Sequence, residues 1–259
     1  MEKQVYRKAG TRPQPRAGAL LALFILLVFG FAVYNVFSPK RETSELENRR
    51  LAQLPAPSAK TLLNGQWADD LATYLQDQVA FRDFWIDLES AVNSLLFAKT
   101  EESDILLGKD GWMFTKLFTV SQETQTQLQK NLDAVTAFAA RHPGHVALLL
   151  APSASVIYPE MLPAGAPMAD EDAMLDDIFA QVGAAAQVID LRPVFTAAKD
   201  EYLYFKTDHH WTPQGAYLAY QQFCALKGLT PFDVATHETA TVEDFYGTHY
   251  SAARRWDVQ

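Results

Sequence analysis

The segment 204–213 carries residues whose types and spacing could do acid–base chemistry. It contains Asp208, His209 and His210, and Thr212 followed by Pro213 is typical of a helix N-terminus. A carboxylate two residues from an imidazole can fix the tautomer of the ring and stabilise its protonated form. We therefore predict that Asp208 is the orienting acid and His210 the general base of a hydrolytic or acyl-transfer triad, whose nucleophile lies elsewhere.

A metal site is the rival interpretation of the same residues. Asp208, His209 and His210 could act as ligands, with His237 or His249 completing the set. Adjacent histidines usually point to opposite sides of an extended chain, which makes a shared ion awkward. The sequence is therefore interpreted without a metal or another cofactor.

The nucleophile has two weaker candidates in Ser153 and Ser155. Both follow the apolar run 146–150, which is typical of a buried strand. A serine at a strand end most often satisfies nearby backbone groups, so neither is assigned as firmly as the acid–base pair. His209 is a third, weaker candidate for a site residue.

Alternating strands and helices must position these residues. The order predicts a parallel sheet flanked by helices on both faces, an α/β fold in which sites collect beyond the carboxyl ends of the strands. A hairpin is predicted earlier, because Asp110-Gly111 separates two apolar runs at 105–107 and 112–114. The predicted elements that follow are strands at 146–150, 188–191 and 202–205, and helices at 170–182 and 213–227.

Two amphipathic helices are predicted between residues 67 and 96. The longer one carries an apolar and aromatic stripe that begins at Phe81 and ends at Leu96, at the spacing of one helix face. We expect this stripe to be buried in a core.

An N-terminal membrane anchor is predicted from residues 17–37. The run contains no charged residue and is long enough to cross a hydrocarbon core of about 30 Å. Basic side chains precede it, so residues 1–16 are expected in the cytoplasm and the remainder outside a bacterial cell membrane, as a single-pass protein. Residues 38–58 are interpreted as a juxtamembrane linker and 59–259 as the extracytoplasmic domain. The basic residues are Lys3, Arg7, Lys8, Arg12 and Arg16.

Charge and cysteine content exclude some classes of function. The formal net charge is −9, which makes nucleic acid an unfavourable partner. Cys224 is the single cysteine, so no intrachain disulfide can form and an exported domain must rely on its core.

The block Asp208-His209-His210-Trp211 is similar to the signature of the bacterial DHHW proteins. These resemble the alginate O-acetylation proteins of the SGNH-hydrolase-like group, where an Asp-x-His-Trp-Thr segment supplies the acid and base of a triad. The resemblance extends over about residues 40 to 255. Its other parts are the segments 47–51, 108–114, 152–160 and 244–247.

The resemblance implies a membrane-anchored SGNH-like protein that works in O-acetylation or deacetylation of a cell-surface polysaccharide, with a membrane acyl-transfer partner. In the relatives the nucleophilic serine follows the block in an Asp-Ser turn. Nothing like that turn occurs between Thr212 and Gln259. We therefore expect the domain to be incomplete at its C-terminus, to lack the nucleophile, and to be of uncertain activity as an enzyme. The alternative is a non-catalytic module that binds glycan or a protein partner, with Trp112 and Trp211 as stacking faces.

Overall fold

The computed structural model describes residues 15–97 and 99–255. Most of the predicted cytoplasmic tail, with Lys3, Arg7, Lys8 and Arg12, therefore lies outside the described residues. The chain divides into two units. One comprises residues up to Ser44 together with Arg49–Asp83, and the other comprises Glu45–Asn48 together with the chain from Phe84 onward.

An apolar helix, α1 (Pro15–Phe37), begins the first unit. Its segment Gly18–Phe37 has a mean hydropathy of 2.5 and is long and apolar enough to cross a membrane. Its large apolar side chains, among them Leu20, Phe24 and Phe29, are exposed rather than packed in a core. The apolar helix thus coincides with the predicted span, and the crossing itself stays a prediction.

The rest of the first unit consists of a short strand pair and two helices. β1 (Thr43–Ser44) pairs antiparallel with β2 (Arg49–Arg50), and α2 (Ala59–Leu63) and α3 (Gln66–Asp77) follow. Arg49 Nη2 lies 2.6 Å from Asp77 Oδ1, and this hydrogen bond lowers the pKa of Asp77 to about 2. The segment predicted as a linker therefore contains ordered structure between residues 43 and 50.

The aromatic stripe of α4 (Arg82–Phe97) is not buried, contrary to the sequence-based expectation. Phe84, Trp85, Leu88 and Leu95 are all exposed. The stripe has helical spacing, but these side chains keep a large exposed fraction. Periodicity predicted the helix correctly, whereas burial depends on a partner surface.

An antiparallel sheet contains the predicted hairpin. β4 (Ile105–Leu107) pairs with β5 (Met113–Thr115), and β3 (Glu101–Glu102) adds to the other edge of β4. Asp110 and Gly111 have φ values of 50° and 80° in the connecting turn. Both residue types tolerate a positive φ, which is why this dipeptide closes the hairpin.

A parallel pair of strands lies beyond the hairpin. β6 (Ala147–Leu150) and β7 (Gln187–Asp190) are joined through α7 (Glu171–Gly183), with Leu148 opposite Val188 in register. Leu132, Ile178 and Val182 pack α5 (Gln122–Arg141) against α7 beside this pair. The order strand, helix, parallel strand confirms the α/β class.

The predicted strand at 202–205 does not form. Tyr202 has a φ of 56°, and Tyr204 makes an isolated antiparallel bridge with Trp211 instead. The backbone bonds Phe205 N–H to His210 O and Thr212 N–H to Leu203 O close this segment on its own continuation. The apolar run therefore folds into a tight loop and does not extend the parallel sheet.

The core of the second unit brings the hairpin, β7 and α9 (Pro213–Lys227) together. Trp112, Phe114, Tyr158, Phe195 and Leu203 are among its buried members. Cys224 is buried too, as a small apolar side chain would be. The remaining helices are α6 (Ala154–Ile157), α8 (Arg192–Ala197), α9 (Pro213–Lys227) and α10 (Thr248–Ala253), with short 3-10 turns at Pro159–Met161, Lys199–Glu201 and Val234–Thr236.

Candidate active site

The loop 206–210 is held at both ends. Met113 N–H donates to Lys206 O at 2.8 Å, which joins the loop to β5. At the other end, the Thr212 hydroxyl donates to Tyr202 O at 2.7 Å and accepts from Gly215 N–H at 3.3 Å. Thr212 is therefore the N-cap of α9 and Pro213 its first residue, as predicted.

Asp208 and His210 form a hydrogen-bonded pair inside this loop. His210 Nδ1 lies 2.5 Å from Asp208 Oδ1, and His210 N–H donates to the same oxygen at 2.9 Å. The Asp208 side chain is 5% exposed and that of His210 is 64% exposed. A buried acid thus orients an imidazole that remains accessible to a substrate.

The start of α10 holds the second oxygen of Asp208. Thr248 donates its backbone N–H to Asp208 Oδ2 at 2.6 Å and its hydroxyl to the same oxygen at 2.9 Å. Gly247 N–H donates to Thr207 Oγ1 at 3.1 Å. A Cβ at Gly247 would lie 2.4 Å from Asp208 Cβ, so only glycine allows this close approach.

Hydrogen bonding keeps Asp208 ionised. Burial alone would raise the pKa of Asp208, but hydrogen bonds from Thr248 and His210 outweigh it and hold the pKa well below its ordinary value. A carboxylate can only accept hydrogen bonds, so His210 Nδ1 must carry the proton that it donates. The neutral ring therefore presents an unprotonated Nε2, which is the form that a general base requires.

His209 lies against the pair. Its ring centroid is 3.9 Å from that of His210, and its Nδ1 is 2.9 Å from Thr248 Oγ1. The side chain is 51% exposed. The structure therefore brings Asp208, His209 and His210 together.

A metal ion would have to compete with these hydrogen bonds. Ligand atoms of Asp208, His209 and His210 lie within 4.8 Å of one another. However, both Asp208 oxygens already accept from donors, and the Nδ1 atoms of both histidines are engaged. An ion bound through Asp208 would therefore have to displace at least one of these hydrogen bonds.

The two histidines named as further ligands do not join this group. His249 Nδ1 lies 3.0 Å from Met113 O, and its Nε2 lies 3.0 Å from Thr115 Oγ1. His237 ends a 3-10 turn and contacts Asp233 O at 3.1 Å. Both are engaged elsewhere, so neither joins Asp208, His209 and His210 as a further ligand.

Ser153 and Ser155 are directed to a carboxylate. Ser153 Oγ donates to Glu171 Oε1 at 2.9 Å, Ser155 Oγ donates to the same oxygen at 3.1 Å, and the two hydroxyl oxygens are 2.7 Å apart. His210 makes no hydrogen bond to either serine. The structure therefore gives these weaker nucleophile candidates no contact with the base.

Of the two tryptophans predicted as stacking faces, Trp112 is buried and Trp211 is half-buried. Trp112 is 4% exposed and packs between Phe114 and Tyr158. Trp211 packs on Phe195, with 6.2 Å between ring centroids. Their side chains fix the site loop to the core.

Sequence reasoning missed three residues that build the site. Thr248 and Gly247 shape the pocket of Asp208, and Glu171 binds the two serines. In the sequence, the segment 244–247 stands out only by its resemblance to the family. A small residue before a hydroxyl-bearing helix start is the local signal that points to Gly247 and Thr248.

Buried His249 makes the stability of the fold depend on pH. Burial is the main cause that lowers the pKa of His249 below its ordinary value of about 6.5. The unfolded chain therefore binds a proton before the folded protein does, and the free energy of unfolding falls as the pH drops below about 6.5. We expect His249→Gln to reduce this slope in urea unfolding measured across that range. His142→Gln, at an exposed position, is the control. If the slope is unchanged in His249→Gln, protonation of His249 is not the cause of the pH dependence.

Known proteins resemble a large part of this chain. Residues 105–249, more than half of the chain, match the family model described as SGNH hydrolase-like domain, acetyltransferase AlgX. The probable alginate O-acetylase AlgJ of Pseudomonas syringae is 25% identical over 183 residues, which cover 68% of this chain and 46% of that protein. AlgJ of Pseudomonas aeruginosa is 28% identical over 160 residues, which cover 60% of this chain and 41% of that protein. The chain thus spans about half the length of the curated relatives that it matches.

Solved structures with similar folds were also found. The O-acetyltransferase domain of Pseudomonas putida AlgJ is 27% identical, with a TM-score of 0.42 and coverage of 50% of both chains. A DHHW family protein from Eubacterium siraeum is 25% identical, with a TM-score of 0.48 and coverage of 58% of this chain and 49% of that one. The match to the family model includes the Asp208–His210 loop and ends at His249. This chain therefore belongs to the SGNH hydrolase-like domain family of the acetyltransferase AlgX.

Proposed function

We propose that this chain supplies the acid–base pair of an O-acyltransfer site that acts on a cell-surface polysaccharide. The observation that carries the proposal is the 2.5 Å contact between Asp208 Oδ1 and His210 Nδ1, with the carboxylate buried and the imidazole exposed. Family membership and the names of the alginate O-acetylases that it resembles support acetyl transfer to a glycan.

The chemistry follows from the tautomer of His210. Its Nε2 takes the proton of a serine hydroxyl while the serine oxygen attacks an acetyl carbonyl. The protonated ring, stabilised by Asp208, then gives that proton to the leaving oxygen of the donor, which leaves an acetyl-serine. In the second half, Nε2 accepts the proton of a sugar hydroxyl, the sugar oxygen attacks the acetyl carbon, and the serine recovers a proton from the ring. Water in place of the sugar gives deacetylation or hydrolysis.

The serine is proposed to be neither Ser153 nor Ser155. Both donate to Glu171, and within the described residues His210 Nε2 has no hydrogen-bond partner. We propose that the nucleophile is a hydroxyl group other than these two.

The domain is proposed to be membrane-anchored and extracytoplasmic. The apolar helix α1 supports an anchor, and the named relatives support a role at the bacterial cell surface. A membrane partner that delivers the acyl group is part of the same proposal.

Acetyl-ester turnover tests the role of His210. Using the complete gene product in detergent with para-nitrophenyl acetate, we expect His210→Ala to lose at least about 10³-fold in turnover, because the base is removed. Ser153→Ala and Ser155→Ala should keep turnover, and His142→Ala is the exposed control. Turnover that survives His210→Ala would contradict the acid–base assignment. Loss of turnover in Ser153→Ala or Ser155→Ala would identify that serine as the nucleophile.

A further inference from the structure

A cavity of about 200 Å³ lies beside His209, whose ring contacts that of His210. His209 forms one side of it, and Ser153, Ser155 and Glu171 form another. The remaining lining comes from Ala154, from β5 and the residues after it, and from His249, whose ring nitrogens lie against Met113 O and Thr115 Oγ1. The cavity belongs to the second unit and uses residues that the acyl-transfer chemistry leaves without a role.

Hydrogen bonding fixes the tautomer of His209 as well as that of His210. The Thr248 hydroxyl donates to Asp208 Oδ2 at 2.9 Å, and one hydroxyl carries only one proton. It must therefore accept at its contact of 2.9 Å with His209 Nδ1, which makes Nδ1 the protonated nitrogen. The neutral ring of His209 then has an unprotonated Nε2. The lone pair of this nitrogen is available to accept a hydrogen bond from a ligand.

The carboxylate of Glu171 offers a second acceptor. Its Oε1 binds both serine hydroxyls, and its Oε2 has no hydrogen-bond partner among the described residues. No lysine or arginine is among the described residues that line the cavity. The polar lining therefore suits hydroxyl donors, and a ligand carboxylate or phosphate would meet the negative charge of Glu171 with no cation to offset it.

We propose that this cavity is the acceptor subsite and that it takes the hydroxyl groups of an uncharged sugar residue. One hydroxyl donates to His209 Nε2, and a neighbouring hydroxyl donates to Glu171 Oε2. His209 is then a positioning residue that holds the acceptor beside His210. This inference rests on the proposed function and narrows it, because it assigns the chain a neutral glycan and not a uronate polymer such as alginate.

Glycan binding tests the subsite. The complete gene product in detergent is titrated with a neutral β-linked glucan hexasaccharide and with a mannuronate hexasaccharide, and binding is followed by calorimetry. We expect the neutral sugar to bind at least about tenfold more tightly, and His209→Ala to weaken that binding by about tenfold, since a hydrogen-bond acceptor is lost. Glu171→Gln should strengthen mannuronate binding by several-fold, while Glu123→Gln on the exposed face of α5 should leave both sugars unchanged.

Two results would overturn the inference. One is mannuronate binding as tight as that of the neutral sugar and indifferent to Glu171→Gln. The other is no binding of either sugar to the wild-type protein.

Acetyl-ester turnover separates failure of this inference from failure of the proposed function. If turnover requires His210 while the sugar preferences fail, the acyl-transfer site stands and the neutral-acceptor subsite falls. If the sugar preferences hold while His210→Ala keeps its turnover, the subsite stands without the proposed mechanism.

Discussion

Asp208→Asn is expected to lower acetyl-ester turnover of the complete gene product by about 10³–10⁴-fold, the scale seen when the orienting acid of a triad becomes an amide. Asp208 accepts from His210 through one oxygen and from Thr248 through the other. An asparagine has one acceptor oxygen and one NH₂ group, which is a donor. Either the donors of His210 or those of Thr248 must therefore face the NH₂ group. If the NH₂ group faces His210, the Nδ1–H tautomer is lost and Nε2 no longer serves as the base.

The same substitution should also destabilise the fold. Each buried donor left without an acceptor costs about 1–3 kcal/mol, and the Asp208 site has little solvent to replace it. Thermal unfolding measured beside turnover separates the two effects. Asp233→Asn is the matched control, because Asp233 caps a 3-10 turn through Ala235 N–H at an exposed position. A folded Asp208→Asn variant that keeps turnover within about tenfold would contradict the assigned role of the acid.

Gly247→Ala is expected to damage the site although it replaces no ionisable residue. The added Cβ would meet Asp208 Oδ2 at 2.6 Å and Thr207 O at 2.6 Å. Either the loop or the start of α10 must shift, at a cost of about 1–3 kcal/mol in the free energy of unfolding. A shift of α10 also moves Thr248, so we expect turnover to fall together with stability.

Gly183→Ala is the control for this change. A Cβ at Gly183 would meet Val188 Cγ2 at 3.8 Å, an ordinary contact, and the position lies at the end of α7. We expect it to leave turnover unchanged. Urea unfolding and ester hydrolysis should be compared for both variants. If Gly247→Ala behaves like Gly183→Ala in both, the close approach of α10 to Asp208 is not what holds the acid.

Local sequence signals predicted much of what positions the site. Thr212 and Pro213 begin α9 because capping and a fixed proline φ act within one turn of the chain. The contact between Asp208 and His210 spans two residues, so spacing alone could anticipate it. The same holds for the turn at Asp110 and Gly111, where residue type decides the backbone conformation.

Contacts between distant segments could not be predicted in this way. Thr248 reaches Asp208 across 40 residues of chain, and nothing in the local pattern of either segment specifies that pairing. The segment 202–205 has the composition of a strand, yet it pairs with Trp211 because the following loop folds it back. The stripe of α4 has the period of a buried helix face and is exposed. In each case the tertiary partner, and not the local preference, decides the outcome.

The protonation of the His210 ring tests the central claim most directly. Proton–nitrogen correlation spectra of the complete gene product, recorded at about pH 8 where a free imidazole is neutral, distinguish the two nitrogens. The structure predicts a protonated Nδ1 and an unprotonated Nε2 on His210, with this preference lost in Asp208→Asn. A His210 ring protonated at Nε2 with a bare Nδ1 would contradict the account, because that ring could neither be held by Asp208 nor act as the base.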